Sequence, residues 1–323
     1  MEIDGKNYTI VDVYDLSVTV PDSFVVYDNK TCEGHGEAKL YMGSKHLMRK
    51  FYTDNAQNSG FECRCFIRKN DLIKYMVTIQ HEYLHPSTKY RGQGKKKDMQ
   101  HLWGKRNQEI QALPDTLTFT IKDQDQIEGD RGYVKVSSYS QKNGYNLIRE
   151  IALPFVSYIS VMKLRENASG EYMFYWKLFT DFTRMAELQY AAKNYGKKKD
   201  AKSKRTRDGQ EKYRQKLYEQ FLHCPFTQID DIRLLVASHI KPWSVCNQRE
   251  KTDEENGLML SPLFDKLFDR GFITFDDDGD IEISDWLSPA NQERIDFSYN
   301  KEDLHLTAKR KSFLEYHRNN VFK

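Results

Sequence analysis

Cysteine is scarce in this chain, with five in 323 residues: Cys32, Cys63, Cys65, Cys224 and Cys246. None belongs to a CxxC pair, and Cys63 and Cys65 on a strand would point to opposite faces. A disulfide framework and a structural zinc site are therefore not indicated, and a reducing cytoplasm fits best. No apolar run approaches the length of a membrane span. The opening residues, MEIDGKNYTI, lack the basic start and apolar core of a secretory signal. Internal repeats are absent. Large net charge is missing too: the formal balance is +3, with 30% charged residues, which by itself does not announce a polyanionic partner.

Charge is present instead in local clusters. Lys193 to Arg207 holds eight Lys or Arg against one Asp, and Lys89 to Arg106 holds seven against one. Such runs can neutralise phosphates, although many are only solvated loops. The length allows two domains, each with a core of ordinary size. Residues 1–187 predict a β-rich mixed α/β domain, with strands over Tyr8 to Tyr14, Phe24 to Tyr27, Phe61 to Ile67, Thr116 to Ile121 and Tyr133 to Ser138. Asn143-Gly144 predicts a turn ahead of the apolar stretch Ile151 to Met162. The spacing of Tyr172, Trp176, Phe179 and Phe182 predicts a helix over residues 172–187 with one aromatic face. Residues 188–208 are lysine-rich and poor in apolar side chains, and predict a basic linker. An amphipathic helix is predicted over Gly209 to His223, with Tyr213, Leu217 and Phe221 on one stripe. Lys309 to Phe322 predicts a basic C-terminal helix.

The stretch from Leu234 to Phe275 organises the rest. An apolar strand (Leu234, Leu235, Val236) ends on Ser238 and His239, and Pro242 directs Lys241 into an extended loop. After a polar loop, Asn256-Gly257 opens a second apolar segment, and Pro262 suits the first turn of a helix. In that helix Asp265 and Asp269 stand four residues apart, so their carboxylates share a face. Leu263, Leu267 and Phe268 are expected beneath. Gly271 stands where a C-cap belongs, and Phe272 to Phe275 predicts a further strand. The unit can gather an imidazole, two carboxylates and a loop-fixing amide. A carboxylate pair is a hard oxygen site suited to Mg²⁺, which keeps several waters and binds substrate phosphate. A His titrating near neutrality can take a proton from attacking water.

At these residues the sequence resembles the HNH, or ββα-metal, endonucleases, and more narrowly the restriction-type HNH nucleases of bacteria. The resembling text is Ala237-Ser238-His239-Ile240-Lys241-Pro242-Trp243, Asn256-Gly257-Leu258-Met259-Leu260-Ser261 and Asp265-Lys266-Leu267-Phe268-Asp269-Arg270-Gly271. Flanking pieces are Gly209-Gln210, Tyr213-Arg214 and Cys224 upstream, and Tyr316-His317-Arg318 and Val321-Phe322 downstream. The resemblance covers about the last third of the chain, residues 209–323. It implies an α+β protein in which the N-terminal β-rich domain precedes a C-terminal ββα-metal nuclease domain. It further implies His239 as general base, Asn256 as the residue that ties down the loop, and Asp265 and Asp269 as metal ligands. Ser238 replaces the Asp or His that several branches carry before the base, and Asp265 stands at the third-motif His. The implied cofactor is a divalent metal, Mg²⁺ first and Mn²⁺ as the alternative. The implied partner is double-stranded DNA; the candidate contacts are Lys241 and Arg270 within the resembling text and, from the basic run before it, Lys197, Lys198, Lys199 and Arg205. Cutting both strands with one site per chain would suggest a homodimer. The expected setting is the bacterial cytoplasm, with no membrane association.

This reading leads to a type II-like restriction endonuclease. The alternatives are an anti-phage effector gated by a ligand or partner of the N-terminal domain, and a DNA-binding protein without catalysis. A zinc protease is the remote case, through His81-Glu82-Tyr83-Leu84-His85, which fits H-E-x-x-H. Pro86 disfavours helical geometry at His85, and Tyr75 to Gln80 has strand-like composition. Glu37-Ala38-Lys39 is a short chance match to another nuclease motif. Asp276 to Asp280 lacks the twelfth-position Glu of a calcium loop, and Asp-Gly predicts a hairpin there.

Overall fold

The computed structural model describes residues 1–31, 38–91, 99–136, 143–194 and 202–323. The chain divides into two compact units, Met1–Gln189 and Tyr190–Lys323.

The first unit is built on an eight-stranded sheet. Its strands are β1 (Glu2–Ile3), β2 (Lys6–Thr19), β3 (Leu40–Ser44), β4 (Glu62–Arg68), β5 (Thr116–Asp123), β6 (Arg131–Val136), β7 (Ser157–Glu166) and β8 (Tyr172–Thr180). They lie in the order β1-β2-β7-β8-β4-β5-β6-β3. Every pairing is antiparallel except β4 with β8. Helices α1 (Lys45–Thr53), α2 (Lys69–Leu84) and α4 (Gly144–Ile151) pack on the sheet, and α3 (Gln100–Gln111) packs on α2. Strand β7 is buried along its first eight residues, which suits a strand covered on both faces. Its one buried charge, Lys163, is held by the Phe51 carbonyl at 2.9 Å and the Asp54 carboxylate at 2.6 Å.

Several local expectations differ from the structure. Tyr172–Thr180 is a strand, and the helix that follows, α5, spans Phe182–Asn194. The aromatic spacing suggested a helical face, but Phe174, Tyr175 and Leu178 are buried alongside Trp176. That dense burial belongs to a sheet covered by helices. Phe24 to Tyr27 forms turns leading into a 3₁₀ turn at Tyr27–Asn29, not a strand. Asn143 is no hairpin turn: its side chain accepts a hydrogen bond from the Asn146 N–H and caps α4. Tyr75 to Gln80, strand-like in composition, lies inside α2. There Tyr75, Met76 and Ile79 are buried at helical spacing, so tertiary packing overrides intrinsic strand preference.

The second unit begins with α6 (Lys202–Phe221), which starts seven residues before the expected helix and takes up residues 202–208 of the expected linker. Leu234 belongs to a 3₁₀ turn (Ile232–Leu234), so strand β9 is the shorter Val236–His239. It pairs antiparallel with β10 (Gly257–Leu260), in a register that places His239 opposite Gly257 and Ser238 opposite Leu258. Helix α7 (Pro262–Asp269) follows and packs on both strands. A hairpin of β11 (Ile273–Phe275) and β12 (Ile281–Ile283) encloses the Asp276 to Asp280 turn. Helices α8 (Pro289–Arg294) and α9 (Ala308–Asn320) complete the unit.

Two close approaches fix this frame. Gly271 has φ +66°. The Gly271 N–H donates to the Phe268 carbonyl and the Phe272 N–H to the Leu267 carbonyl, both at 2.8 Å, the Schellman closure of α7. A Cβ at Gly271 would lie 2.1 Å from the Val321 carbonyl oxygen. A Cβ at Gly257 would lie 2.3 Å from the Tyr213 hydroxyl and 2.6 Å from Leu217, so α6 packs directly on the backbone of β10.

Helix α9 closes the core. Phe313, Leu314 and His317 are buried. His317 stacks on Phe268, ring centroids 3.9 Å apart, and its Nε2 lies 3.0 Å from the Phe268 carbonyl. Arg310, fully buried, donates to Gln220 Oε1 at 2.9 Å and to the Glu254 carbonyl at 3.2 Å. It thereby joins α9, α6 and the loop before β10.

Candidate active site

The β9–β10 pair, the loop between its strands and α7 carry Ser238, His239, Asn256, Asp265 and Asp269: α7 sets the two aspartates against Ser238, and the loop engages His239 and Asn256. Each side chain has a distinct physical setting.

His239 ends β9 and is half-buried. Its imidazole stacks on the Tyr213 ring of α6, with centroids 4.4 Å apart and planes 18° apart. Nε2 lies 3.1 Å from the Lys251 carbonyl oxygen. A carbonyl only accepts, so in the neutral ring Nε2 carries the proton and Nδ1 keeps its lone pair. Burial holds the imidazole below its ordinary titration range, and the Lys251 ammonium adds to the depression while the carbonyl hydrogen bond opposes it. The ring is therefore neutral and basic at physiological pH, the state a proton acceptor needs.

Asn256 is fully buried. Its Oδ1 accepts the Lys241 N–H at 2.8 Å, and its Nδ2 donates to the Glu250 carbonyl at 3.1 Å and to Cys246 Sγ at 3.2 Å. Its own carbonyl accepts from the Ile240 N–H and the Tyr213 hydroxyl. The side chain thus spans the base of the loop that leaves β9 and returns to β10. That loop also carries the Lys251 carbonyl that holds His239.

Asp265 and Asp269 lie one helical turn apart on α7, against the buried Ser238 of β9. Ser238 Oγ is 3.5 Å from Asp269 Oδ1, and its hydroxyl also favours the ionised form of Asp265. Burial raises the titration of both acids; repulsion from Asp265 adds to it at Asp269, which is pushed up to about 7. Asp269 is surrounded by protein on the Asp265 side yet is exposed at the surface, and Asp265 is half-buried. Among the described residues, neither carboxylate forms a salt bridge, and no group of three or more His, Cys, Asp or Glu gathers where a metal could be held. Two like charges forced together with one solvent-facing edge suit a divalent cation that completes its shell with water and phosphate. The donor set is compatible with Mg²⁺ or Mn²⁺ and offers no soft ligand.

Other residues read from the sequence as functional have different surroundings. Lys241 is committed to Glu250, with Nζ–Oε1 2.8 Å, and lies over the Tyr316 ring. Arg270 is the C-cap of α7, where its charge counteracts the rise at Asp269. Lys197, Lys198 and Lys199 lie outside the described residues, as does Glu37. Arg205 is in α6. Leu263, expected beneath the helix, is exposed, and Phe264 takes the buried place. In the H-E-x-x-H stretch the His81 and His85 rings lie together, centroids 5.1 Å apart, but among the described residues no third His, Cys, Asp or Glu completes a metal site. His81 and His85 are exposed, whereas Glu82 is buried and accepts from the Ser87 N–H at 2.7 Å, the Ser87 hydroxyl at 2.8 Å and the Tyr90 hydroxyl at 3.2 Å. His85 is the C-cap of α2, with φ −133° and ψ 67°.

Tyr213 and the Lys251 carbonyl are parts of the site that sequence reading did not assign. Tyr213 was visible as one position of an apolar stripe and in a flanking piece of the resemblance, with no role attached to it, and a carbonyl leaves no trace in a sequence.

Residues 224–276 match the family model of the HNH endonucleases. Comparison with curated proteins finds no match. HNH nucleases generally depend on a divalent metal, and a nuclease domain implies a DNA substrate. The matched span runs from Cys224 at the end of α6 to the turn after β11, and so includes His239, Asn256 and both aspartates. The chain carries an HNH endonuclease domain, and it is a nuclease that hydrolyses phosphodiester bonds.

Proposed function

We propose that the protein is a restriction-type DNA endonuclease that cuts double-stranded DNA with Mg²⁺. The observation that carries this is the neutral His239 at the end of β9, its Nδ1 unprotonated, together with the Asp265–Asp269 pair that α7 sets against the adjacent Ser238. Asp265 and Asp269 would hold the metal. A bound divalent ion stabilises charge on the phosphoryl oxygens and on the leaving oxygen. His239 Nδ1 takes the proton of the attacking water while Nε2–H stays on the Lys251 carbonyl. Asn256 keeps that carbonyl in place by tying the loop, and so acts on the base without touching substrate. Ser238 favours the ionised pair by donating its hydroxyl. The first unit, with its eight-stranded sheet, would choose the DNA site. Lys197, Lys198, Lys199, Arg205 and Arg270 would supply phosphate affinity without base information; the ion-paired Lys241 is a weaker candidate for that task. A two-fold dimer would let two sites act on two strands.

The test is incubation of the purified protein with unmodified and modified plasmid DNA and Mg²⁺ or Mn²⁺, followed by sequencing of the ends. Discrete ends are expected. Smeared ends would favour a nonspecific effector, and cleavage only after adding a cell extract would favour a gated one. No cleavage under any metal would remove the restriction reading.

A further inference from the structure

We propose that Tyr213 is a positioning residue for His239, fixing through its ring face the direction in which Nδ1 points; this rests on His239 being the base. Two constraints are needed to aim an imidazole. A hydrogen bond at Nε2 sets rotation within the ring plane, and the Lys251 carbonyl supplies it at 3.1 Å. The tilt of the plane is still free after that bond is made. The parallel Tyr213 ring, 4.4 Å away at 18°, removes the tilt.

Tyr213 is itself held. It is 3% exposed, and its hydroxyl donates to the Asn256 carbonyl at 2.9 Å. The same hydroxyl is 3.5 Å from the Ser238 carbonyl, so one phenol bridges the strand ends on both sides of the base. Burial keeps that phenol well above its ordinary titration range, so it remains a donor throughout the working pH range. The missing side chain of Gly257 makes room for it, since a Cβ there would overlap the hydroxyl. Tyr213 also covers one face of His239 from water, and burial is the largest influence on the His239 titration. The ring therefore orients the base and contributes to keeping it neutral.

The experiment compares full-length variants by cleavage kinetics and by NMR titration of the His239 imidazole, assigned by its loss in His239→Gln. Tyr213→Phe keeps the ring and loses the hydroxyl that anchors it, and is expected to lower kcat by clearly less than loss of the ring does, with a smaller shift of the titration. Tyr213→Leu loses the ring. It is expected to lower kcat by about 10²-fold, the scale of a misplaced catalytic group, with little change in KM for DNA. The His239 titration should then move upward as water reaches the ring. Tyr213→Met carries the same expectations should the leucine variant fail to fold. Leu217→Ala thins the same packing without touching the imidazole, and is expected to lower stability while leaving the titration and kcat of the folded fraction unchanged.

Three results overturn the inference: an unmoved His239 titration in Tyr213→Leu or Tyr213→Met, equal kinetic losses in Leu217→Ala, or a loss in Tyr213→Phe as large as in Tyr213→Leu. The underlying reading fails differently, by wild-type cleavage in His239→Gln, whatever Tyr213 does.

Discussion

The two units treat crowded charge in different ways. In the first, three buried ionic groups are held by named partners. Lys163 meets Asp54 and the Phe51 carbonyl. Arg106 donates to Asn29 Oδ1 at 2.8 Å and to the Tyr83 hydroxyl at 2.9 Å, and Glu82 accepts from Ser87 and Tyr90. In the second unit Arg310 is tied in the same manner, but the Asp265–Asp269 pair is not. It has a serine hydroxyl for two carboxylates, and their repulsion is left standing. Polar groups tied in this way hold a fold together, whereas a pair of acids with raised titration is the kind of feature that marks a candidate site. The contrast separates scaffold from site without reference to any relative.

The sharpest way to break the comparison is to remove the base. His239→Ala should reduce cleavage by about 10²- to 10⁴-fold while far-UV circular dichroism and DNA binding stay near wild type. Cleavage at the original rate would show that the histidine belongs to the scaffold.

Gly271→Ala tests whether the frame of the second unit is as tight as its backbone implies. The new methyl meets the Val321 carbonyl and sits at positive φ, so the cost should exceed the roughly 1 kcal/mol of a strain-free glycine change. Amide hydrogen exchange in α7 and α9 should accelerate, with the first unit unaffected.

The unrelieved repulsion has a pH signature. Asp269 titrates higher folded than unfolded, so the folded state binds the extra proton between about pH 4 and 7. Its destabilising effect is absent below that window, grows as pH rises through it and is complete above about 7. Without metal, the second unit should therefore melt a few degrees higher at pH 5.5 than at pH 8 on this account. Asp269→Asn should flatten that difference, and Mg²⁺ or Mn²⁺ should recover the loss at pH 8 in the wild type. An unchanged pH dependence in Asp269→Asn, measured by calorimetry, would place the pair on the scaffold side. The same titration predicts that cleavage weakens below about pH 7, and that higher metal concentration moves this limb downward, because proton and cation compete for one site.

The smallest effect is expected from the exposed imidazoles of the first unit. His81→Ala with His85→Ala should leave DNA cleavage within about twofold, the range of surface changes remote from a site. A large loss would show that the H-E-x-x-H stretch does more than two exposed imidazoles above a buried, hydrogen-bonded glutamate account for.

Sequence by itself determined the chemistry-bearing segment. The order of His239, Asn256-Gly257, Pro262, Asp265, Asp269 and Gly271 reads directly as strand, loop, strand, capped helix and hairpin, because each turn there depends on a local stereochemical demand. Pro262 presets φ at a helix start, and Gly271 supplies the left-handed residue at its end. Strands β4, β5 and β6 were legible for a similar reason, their alternating composition. Tertiary structure alone decided the rest. Residues 172–187 were misread because aromatic spacing does not tell whether the gaps between aromatics are solvated, and here a covered sheet buries them. Tyr75 to Gln80 became helix because packing in the core outweighs strand preference. The tautomer of His239 comes from the Lys251 carbonyl, and its plane from Tyr213, which is 26 positions away in the sequence. The acidity of Asp269 comes from what surrounds it, not from what it is. These are properties of distance and burial, and they exist only once the chain has folded.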